Sequence, residues 1–241
     1  MARRTIARGG RAERVASWIA DAFSTGNPLG AVPEDDLPRT RAEGERIAFR
    51  VLEELGIPPC GVRVSGAGRG ALAGPMVEGR LQPSGTPLVG LRHSRATAAL
   101  VGVLGASLEP GEDGPPVIAA VHPAIDVADS RFTVPPAGVA MRVADVGGLG
   151  QVVIGDAAPP PPDGIIVAGA GGPVRVEVRL AFAAAAAAAR RLGGLPAGAV
   201  LVVAGLAPLA APDAGDCIEA GFGALGTVRT RLAAPVLGLP G

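Results

Sequence analysis

The chain has 241 residues, 48% of them hydrophobic, which is enough to bury the core of one large domain or of one domain with a small appendage. Its 22 acidic and 22 basic residues cancel, so we expect neither nucleic acid nor an anionic membrane among its partners. All the basic residues are arginine, which excludes a lysine Schiff base and a lysine-dependent phosphate loop.

The cysteines and the apolar runs bear on where the protein works. Cys60 and Cys217 form neither a disulfide framework nor a zinc site, which favours a cytoplasmic location. No apolar run of signal-peptide length follows the basic N-terminus. The longest apolar run, LAFAAAAAAA at 180–189, is too short to span a bilayer. We therefore expect a soluble protein.

The first sixty residues have helical patterning. Apolar residues recur at helical spacing in RAERVASWIADAFS (11–24), and TGNPLG ends that pattern. A second helix is predicted in RTRAEGERIAFRVLEEL (39–55), which GIPP ends. Residues 1–60 are thus predicted to form an N-terminal helical segment.

Residues 61–241 are predicted to form a β-rich domain. Short β-branched runs alternate with Gly and Pro, as many short strands with turns between them do. PVRVEVRL (173–180) alternates as a strand with one solvated face, and AFAAAAAAARRLGG (181–194) is the one clear helix. The glycine-rich stretch GAGRGALAG (66–74) is predicted to be a loop.

Several motifs of the β-rich region occur in a characteristic order. They are LQPSG (81–85), RATAALVGVLG (95–105), PAIDVADSR (123–131), VADVGGLGQVVIG (143–155), Gly205 at a strand end, AGD (214–216), EAGF (219–222) and LGTVRTRL (225–232). This order resembles the 2-keto-4-pentenoate hydratase / 4-oxalocrotonate decarboxylase family, within the fumarylacetoacetate hydrolase fold. The resemblance covers nearly the whole chain. It implies an α+β fold in which a mixed β-roll follows the helical segment.

The resemblance also implies a metal site, which this sequence does not preserve. In that family a Glu-x-Glu pair and a third Glu hold Mg²⁺ or Mn²⁺, which chelates a 2-oxo acid and stabilises an enolate-like intermediate. The pair falls here on Thr97 and Ala99, and the third ligand on Asp126. One carboxylate does not hold Mg²⁺ tightly, so we predict no metal and no other cofactor. The family's lysine falls on Arg63, and the asparagine of its ADN motif on Val146.

Arg63 and Asp126 are the first candidates for chemistry. Arg63 is expected to anchor an anionic group or polarise a carbonyl in place of the metal; the alternative is a surface arginine at a strand start. Asp126 is expected to point into a cavity left without its metal. Burial would then raise its pKa towards acid–base use, unless a neighbouring arginine neutralises it.

The remaining candidates are two histidines and a short turn. His122 is a candidate catalytic residue and His93 a candidate substrate-binding residue, because imidazole is the natural acid–base group near neutral pH; either one is alternatively an ordinary structural histidine. Asp129 and Arg131 are candidate substrate-binding residues, or the structural turn that the family's DSR motif forms.

Three functions remain open at this point. The first is a metal-independent lyase, isomerase or cyclase that acts on a small molecule with a carbonyl, enol or conjugated alkene, recruited to biosynthesis, and acting as a homo-oligomer. The second is a non-catalytic scaffold partner of a metal-competent paralogue. The third is an ordinary Mg²⁺-dependent 2-oxo-acid hydratase or decarboxylase whose ligands lie elsewhere in the sequence.

Overall fold

The computed structural model describes residues 10–66, 70–161, 164–209 and 215–233. These residues form four α-helices and twelve strands, in an α+β arrangement as predicted. The helices are α1 Arg11–Thr25, α2 Arg41–Leu55, α3 Val139–Ala144 and α4 Val178–Arg191. The strands are β1 Gly61–Ser65, β2 Leu72–Met76, β3 Leu81–Pro83, β4 Pro87–Leu88, β5 Arg95–Leu104, β6 Ile118–Ala128, β7 Gln151–Ile154, β8 Ile165–Gly169, β9 Gly172–Val176, β10 Val200–Pro208, β11 Cys217–Gly221 and β12 Thr227–Leu232.

The main sheet is mixed. Seven of the described strands are hydrogen-bonded in the order β2-β1-β10-β5-β6-β7-β3. The pairs β1–β10 and β3–β7 are parallel, and the other pairs are antiparallel. A second sheet has the order β11-β12-β4, and β8 and β9 form a hairpin.

The two faces of the main sheet bury different helices. The face that carries Val101, Ala124, Val152 and Val202 packs against α1, α2 and α3, and is called the helical face below. The opposite face packs against Phe182 and the alanines of α4, together with residues of β8, β9, β11 and β12. The sheet is therefore the middle layer of the molecule, and the N-terminal helices share its core.

Local signals explain where α1 and α2 begin and end. The Thr40 side chain accepts a hydrogen bond from the Glu43 N–H, and Glu43 reaches back to the Thr40 backbone, which forms a capping box at the start of α2. Gly26 and Gly56 end α1 and α2 with positive φ angles of 73° and 67°. Both helices were predicted, within two residues of these ends.

The predicted strand at 173–180 is shorter than expected. β9 ends at Val176, and α4 begins at Val178. Val178 belongs to the helix because it is buried together with Phe182, Ala185 and Ala189, at helical spacing. The alternating pattern in VRVEVRL could not reveal this boundary, because an apolar residue at position 178 suits both a strand and a helix.

Two further elements differ from the sequence prediction. Part of the stretch 66–74 that was predicted to be a loop belongs to β2, which pairs with β1 and is fully buried; residues 67–69 lie outside the described residues. The short helix α3 was not predicted. Among the described residues, none of the helices is long and apolar enough to cross a membrane.

Helices α2 and α3 pack closely at Gly44. A Cβ atom at this position would lie 2.2 Å from the carbonyl oxygen of Ala140. We expect Gly44→Ala to lower the free energy of unfolding by about 1–3 kcal/mol through overpacking, although alanine is the better helix former by about 0.5–1 kcal/mol. Urea unfolding measures the change. Gly79→Ala is the control, because its Cβ would meet nothing within 4 Å; equal stability of both variants would contradict the close contact.

Candidate active site

Arg63 and Asp126 form a buried ion pair on the helical face. Arg63 Nε donates to Asp126 Oδ1 at 2.6 Å, and Arg63 Nη2 donates to Oδ2 at 2.5 Å. The two side chains are 2% and 1% exposed. The remaining nitrogen, Nη1, donates to the carbonyl oxygen of Gly147 at 2.8 Å. The pair thus has the bidentate geometry in which an arginine binds a carboxylate most strongly.

The curvature of the sheet makes this contact possible. Arg63 lies on β1 and Asp126 on β6, and β10 and β5 run between them. Three strand spacings place two such strands about 14 Å apart in a flat sheet. The sheet must therefore curl around the helical face to bring the two side chains within hydrogen-bonding distance.

The strand register places the three positions to which the family resemblance assigns metal ligands close together. Thr97 on β5 pairs directly with Asp126 on β6, and Ala99 lies two residues further along the same face. The Thr97 hydroxyl accepts a hydrogen bond from the backbone N–H of Gly205 at 3.0 Å. Gly205 lies where the β10–β5 register shifts, and its φ is 79°. The Thr97 hydroxyl is therefore engaged in a hydrogen bond to the irregular part of β10.

These residues do not suit a divalent cation. Ala99 has no donor atom, Thr97 offers a neutral hydroxyl, and Asp126 is already neutralised by a guanidinium. Hard cations need several oxygen ligands, and Mg²⁺ gives up its waters reluctantly. Among the described residues, no group of three or more His, Cys, Asp or Glu side chains is placed to hold a metal ion. The residues at these three positions therefore do not fit a site for Mg²⁺ or Mn²⁺.

The surroundings of the Asp126 side chain differ from those expected from the sequence. It was expected to face an open cavity, whereas both of its oxygens accept hydrogen bonds from Arg63. This is the alternative in which a neighbouring arginine neutralises the carboxylate. Arg63 is correspondingly a buried residue and not a surface arginine. The catalytic roles of both residues remain predictions.

His122 lies on the same face as the ion pair. It precedes Asp126 by four residues on β6, so both side chains project from one side of the strand. The strand register also aligns His122 with Val101, Val202 and Arg63. His122 Nδ1 lies 2.9 Å from the carbonyl oxygen of Gly155. Because only a protonated nitrogen can donate to that carbonyl, this contact leaves Nε2 as the basic nitrogen of the neutral ring.

A second buried ion pair adjoins the first. Arg131 Nε donates to Asp145 Oδ1 at 2.6 Å, and the Ser130 hydroxyl donates to Asp145 Oδ2 at 2.7 Å. The Arg131 guanidinium also donates to the carbonyl oxygens of Asp145 and Leu149. Burial raises the pKa of the Asp145 carboxyl, while Arg131 and Ser130 act in the opposite direction.

The two arginines hold one tight turn between them. Arg63 binds the carbonyl of Gly147, and Arg131 binds those of Asp145 and Leu149. Val146 in this turn has a φ of 50°, which is an unusual backbone conformation for a β-branched residue. Asparagine, which the family resemblance places here, adopts it more readily. Val146 thus holds local backbone strain that the surrounding hydrogen bonds maintain.

His93 and Asp129 lie in a different cluster, together with Arg131. His93 Nε2 lies 3.0 Å from the carbonyl oxygens of both Phe132 and Thr133. Asp129 Oδ1 accepts from the backbone N–H groups of Arg92 and His93 at 3.1 and 2.8 Å. The residues predicted from the sequence therefore divide into two groups. Arg63, Asp126 and His122 share the helical face, whereas His93, Asp129 and Arg131 surround the end of β6.

Comparison with known proteins identifies the fold. No family model and no curated protein matches the sequence. The solved 4-oxalocrotonate decarboxylase of Pseudomonas putida G7, complexed with magnesium and adipate, is 21% identical, with a TM-score of 0.75 over 95% of this chain and 100% of that one.

Two more distant structures share the same fold. One is 5-carboxymethyl-2-hydroxymuconate delta-isomerase of Mycobacterium smegmatis, with 14% identity and a TM-score of 0.53 over 73% of this chain and 80% of that one. The other is fumarylacetoacetate hydrolase of Exiguobacterium antarcticum, with 14% identity and a TM-score of 0.50 over 74% and 76%. The chain therefore has the fumarylacetoacetate hydrolase fold that the motif order predicted.

Removing one charge of the Arg63–Asp126 pair should lower the free energy of unfolding more than replacing both charges with apolar groups. We expect Asp126→Asn to lower the free energy of unfolding by about 3–5 kcal/mol, because it leaves a buried guanidinium without a counter-charge. The double variant Arg63→Met/Asp126→Leu replaces both charges with apolar groups, and should regain most of that loss. Urea unfolding of the three proteins measures these differences.

An exposed pair serves as the control for this comparison. Arg175 and Glu177 pair at 2.8 Å but are 62% and 52% exposed. We expect Glu177→Gln to change stability by less than about 1 kcal/mol. If Asp126→Asn were as mild as this control, the Arg63–Asp126 pair would not be a buried, mutually dependent unit.

Proposed function

We propose that the chain is a metal-independent enzyme of the lyase or isomerase type. Its substrate class is a small molecule with a carbonyl, an enol or a conjugated alkene. The observation that carries the proposal is the Arg63–Asp126 pair, a fixed cation on the helical face, at a position where the family resemblance places a metal ligand. The proposal is also supported by the fold, which the chain shares with a decarboxylase and an isomerase.

In this proposal Arg63 supplies the positive charge. An arginine side chain has five N–H donors, three of which are used on Asp126 and Gly147. The other two N–H groups have no acceptor among the described residues, and in this proposal they donate to an oxygen on which negative charge develops, once the covering residues have moved. Preorganised donors of this kind contribute most when charge builds up in the transition state.

Asp126 acts here by orienting Arg63. Protonating this carboxylate would neutralise it and leave the buried guanidinium without a counter-charge. We therefore propose a positioning role for Asp126 in place of the proton transfer that its isolated position in the sequence suggested. His122 takes over the proton transfer, because its Nε2 is the free basic nitrogen and the residue is only half-buried.

The test combines chelation with two variants. The wild-type protein is assayed in EDTA against a panel of 2-oxo-4-enoic acids, 2-hydroxydienoates and β-keto acids. We expect turnover that EDTA does not reduce, and a loss of about 10²–10⁴-fold in His122→Asn, which lacks the proton carrier. Arg63→Met/Asp126→Leu should lose activity while remaining folded.

Exposed Arg175 provides the control, since Arg175→Gln should retain full activity. Two results would overturn the proposal. One is turnover that depends on added Mg²⁺. The other is undiminished activity in both His122→Asn and the Arg63→Met/Asp126→Leu variant.

A non-catalytic scaffold is the second candidate. It is favoured by the burial of Arg63 and Asp126, which are 2% and 1% exposed, since a substrate reaches them only if the covering residues move. This candidate predicts no turnover on the panel, with or without Mg²⁺. It also predicts stoichiometric association with a metal-competent homologue from the same organism. The enzyme proposal predicts turnover by the isolated chain.

A further inference from the structure

A small cleft lies at the C-terminal end of α1, and neither Arg63 nor Asp126 lines it. Its volume is about 70 Å³, and its charged lining residues are Arg80, Arg92, Asp129 and Arg131. Phe23 of α1 forms part of its wall. Three arginines thus line a space large enough for one small polar group.

Arg80 is the least satisfied of these groups. It is half-buried, and its guanidinium lies 4.5 Å from the centroid of the Phe23 ring. Within the described part of the chain, that guanidinium has no hydrogen-bond acceptor. Burial lowers the pKa of Arg80, and the nearby charge of Arg131 lowers it further, while Asp129 opposes this effect. A guanidinium in this setting is stabilised by an added anion.

The other two arginines are held in place around the cleft. Arg92 Nη2 donates to the carbonyl oxygen of Gly26 at 2.8 Å. Arg131 is fixed by Asp145, and its guanidinium carbon lies 5.7 Å from the centroid of the same Phe23 ring. A ligand would therefore meet guanidinium groups that are already oriented, which reduces the conformational entropy lost on binding.

The charges of the cleft do not balance. Arg80, Arg92 and Arg131 face the carboxylates of Asp129 and Asp145, which leaves one positive charge in excess. Asp129 Oδ1 is already engaged by two backbone N–H groups. We propose that this cleft binds a small oxyanion, either a carboxylate or a phosphate group, between Arg80 and Arg92. Guanidinium groups match both of these groups through paired N–H donors.

Titration with small anions tests the proposal. The purified full chain is titrated with inorganic phosphate and, separately, with malonate, and binding is followed by calorimetry and by the melting temperature. NaCl at the same ionic strength serves as the reference. We expect saturable 1:1 binding of at least one anion. The relative affinities of the two anions tell a phosphate-type ligand from a carboxylate-type ligand.

Variants locate the site. We expect Arg80→Gln to weaken binding by at least 10-fold, and Arg80→Lys to be intermediate, since it keeps the charge but loses the planar donor group. Arg175→Gln, at an exposed position on the β8–β9 hairpin, should bind as the wild type does. Circular dichroism in chloride alone shows whether Arg80→Gln remains folded. Unchanged affinity in folded Arg80→Gln, or no binding beyond the NaCl reference, would overturn the proposal. The result is independent of any catalytic activity.

Discussion

Both carboxylate oxygens of Asp126 accept hydrogen bonds from Arg63 in the interior of the molecule, and much of the surrounding structure depends on this ion pair. Removing two charges from water is expensive, so the geometry must be close to ideal for the pair to be tolerated. The curl of the sheet provides that geometry by bringing β1 and β6 together across two strands. The third arginine nitrogen binds the Gly147 carbonyl, which extends the constraint to the neighbouring turn.

The ion pair also bears on the chemistry that we propose for this fold. The family that the sequence resembles uses three carboxylates around a divalent ion, whereas this site has one carboxylate and one guanidinium. A guanidinium places a positive charge beside Asp126 but offers no open coordination positions to which a 2-oxo acid would bind. A permanent cation can still stabilise a developing negative charge. It cannot chelate a substrate in the way that a metal ion does.

The sequence predicted the fold better than it predicted the contacts of the candidate residues. The order of motifs pointed to the fold, and the resemblance placed Arg63 and Asp126 at one site. Their direct contact was not predictable, because it depends on the curvature of a sheet whose intervening strands carry no signal for it. Arg80 was missed altogether, because Phe23, the ring on which it packs, belongs to a helix distant in sequence.

Metal binding by designed variants tests most directly whether the Arg63 guanidinium occupies the place of the metal ion. Thr97→Glu/Ala99→Glu supplies the two carboxylates that the family resemblance places at these positions while Arg63 is retained, and adding Arg63→Lys removes the guanidinium. Titration with Mn²⁺, followed by electron paramagnetic resonance on proteins that circular dichroism shows to be folded, should detect one bound ion in the triple variant. The wild type and the double variant should bind at least 10-fold more weakly. Equally tight binding by the double variant, or stoichiometric binding by the wild type, would contradict the account.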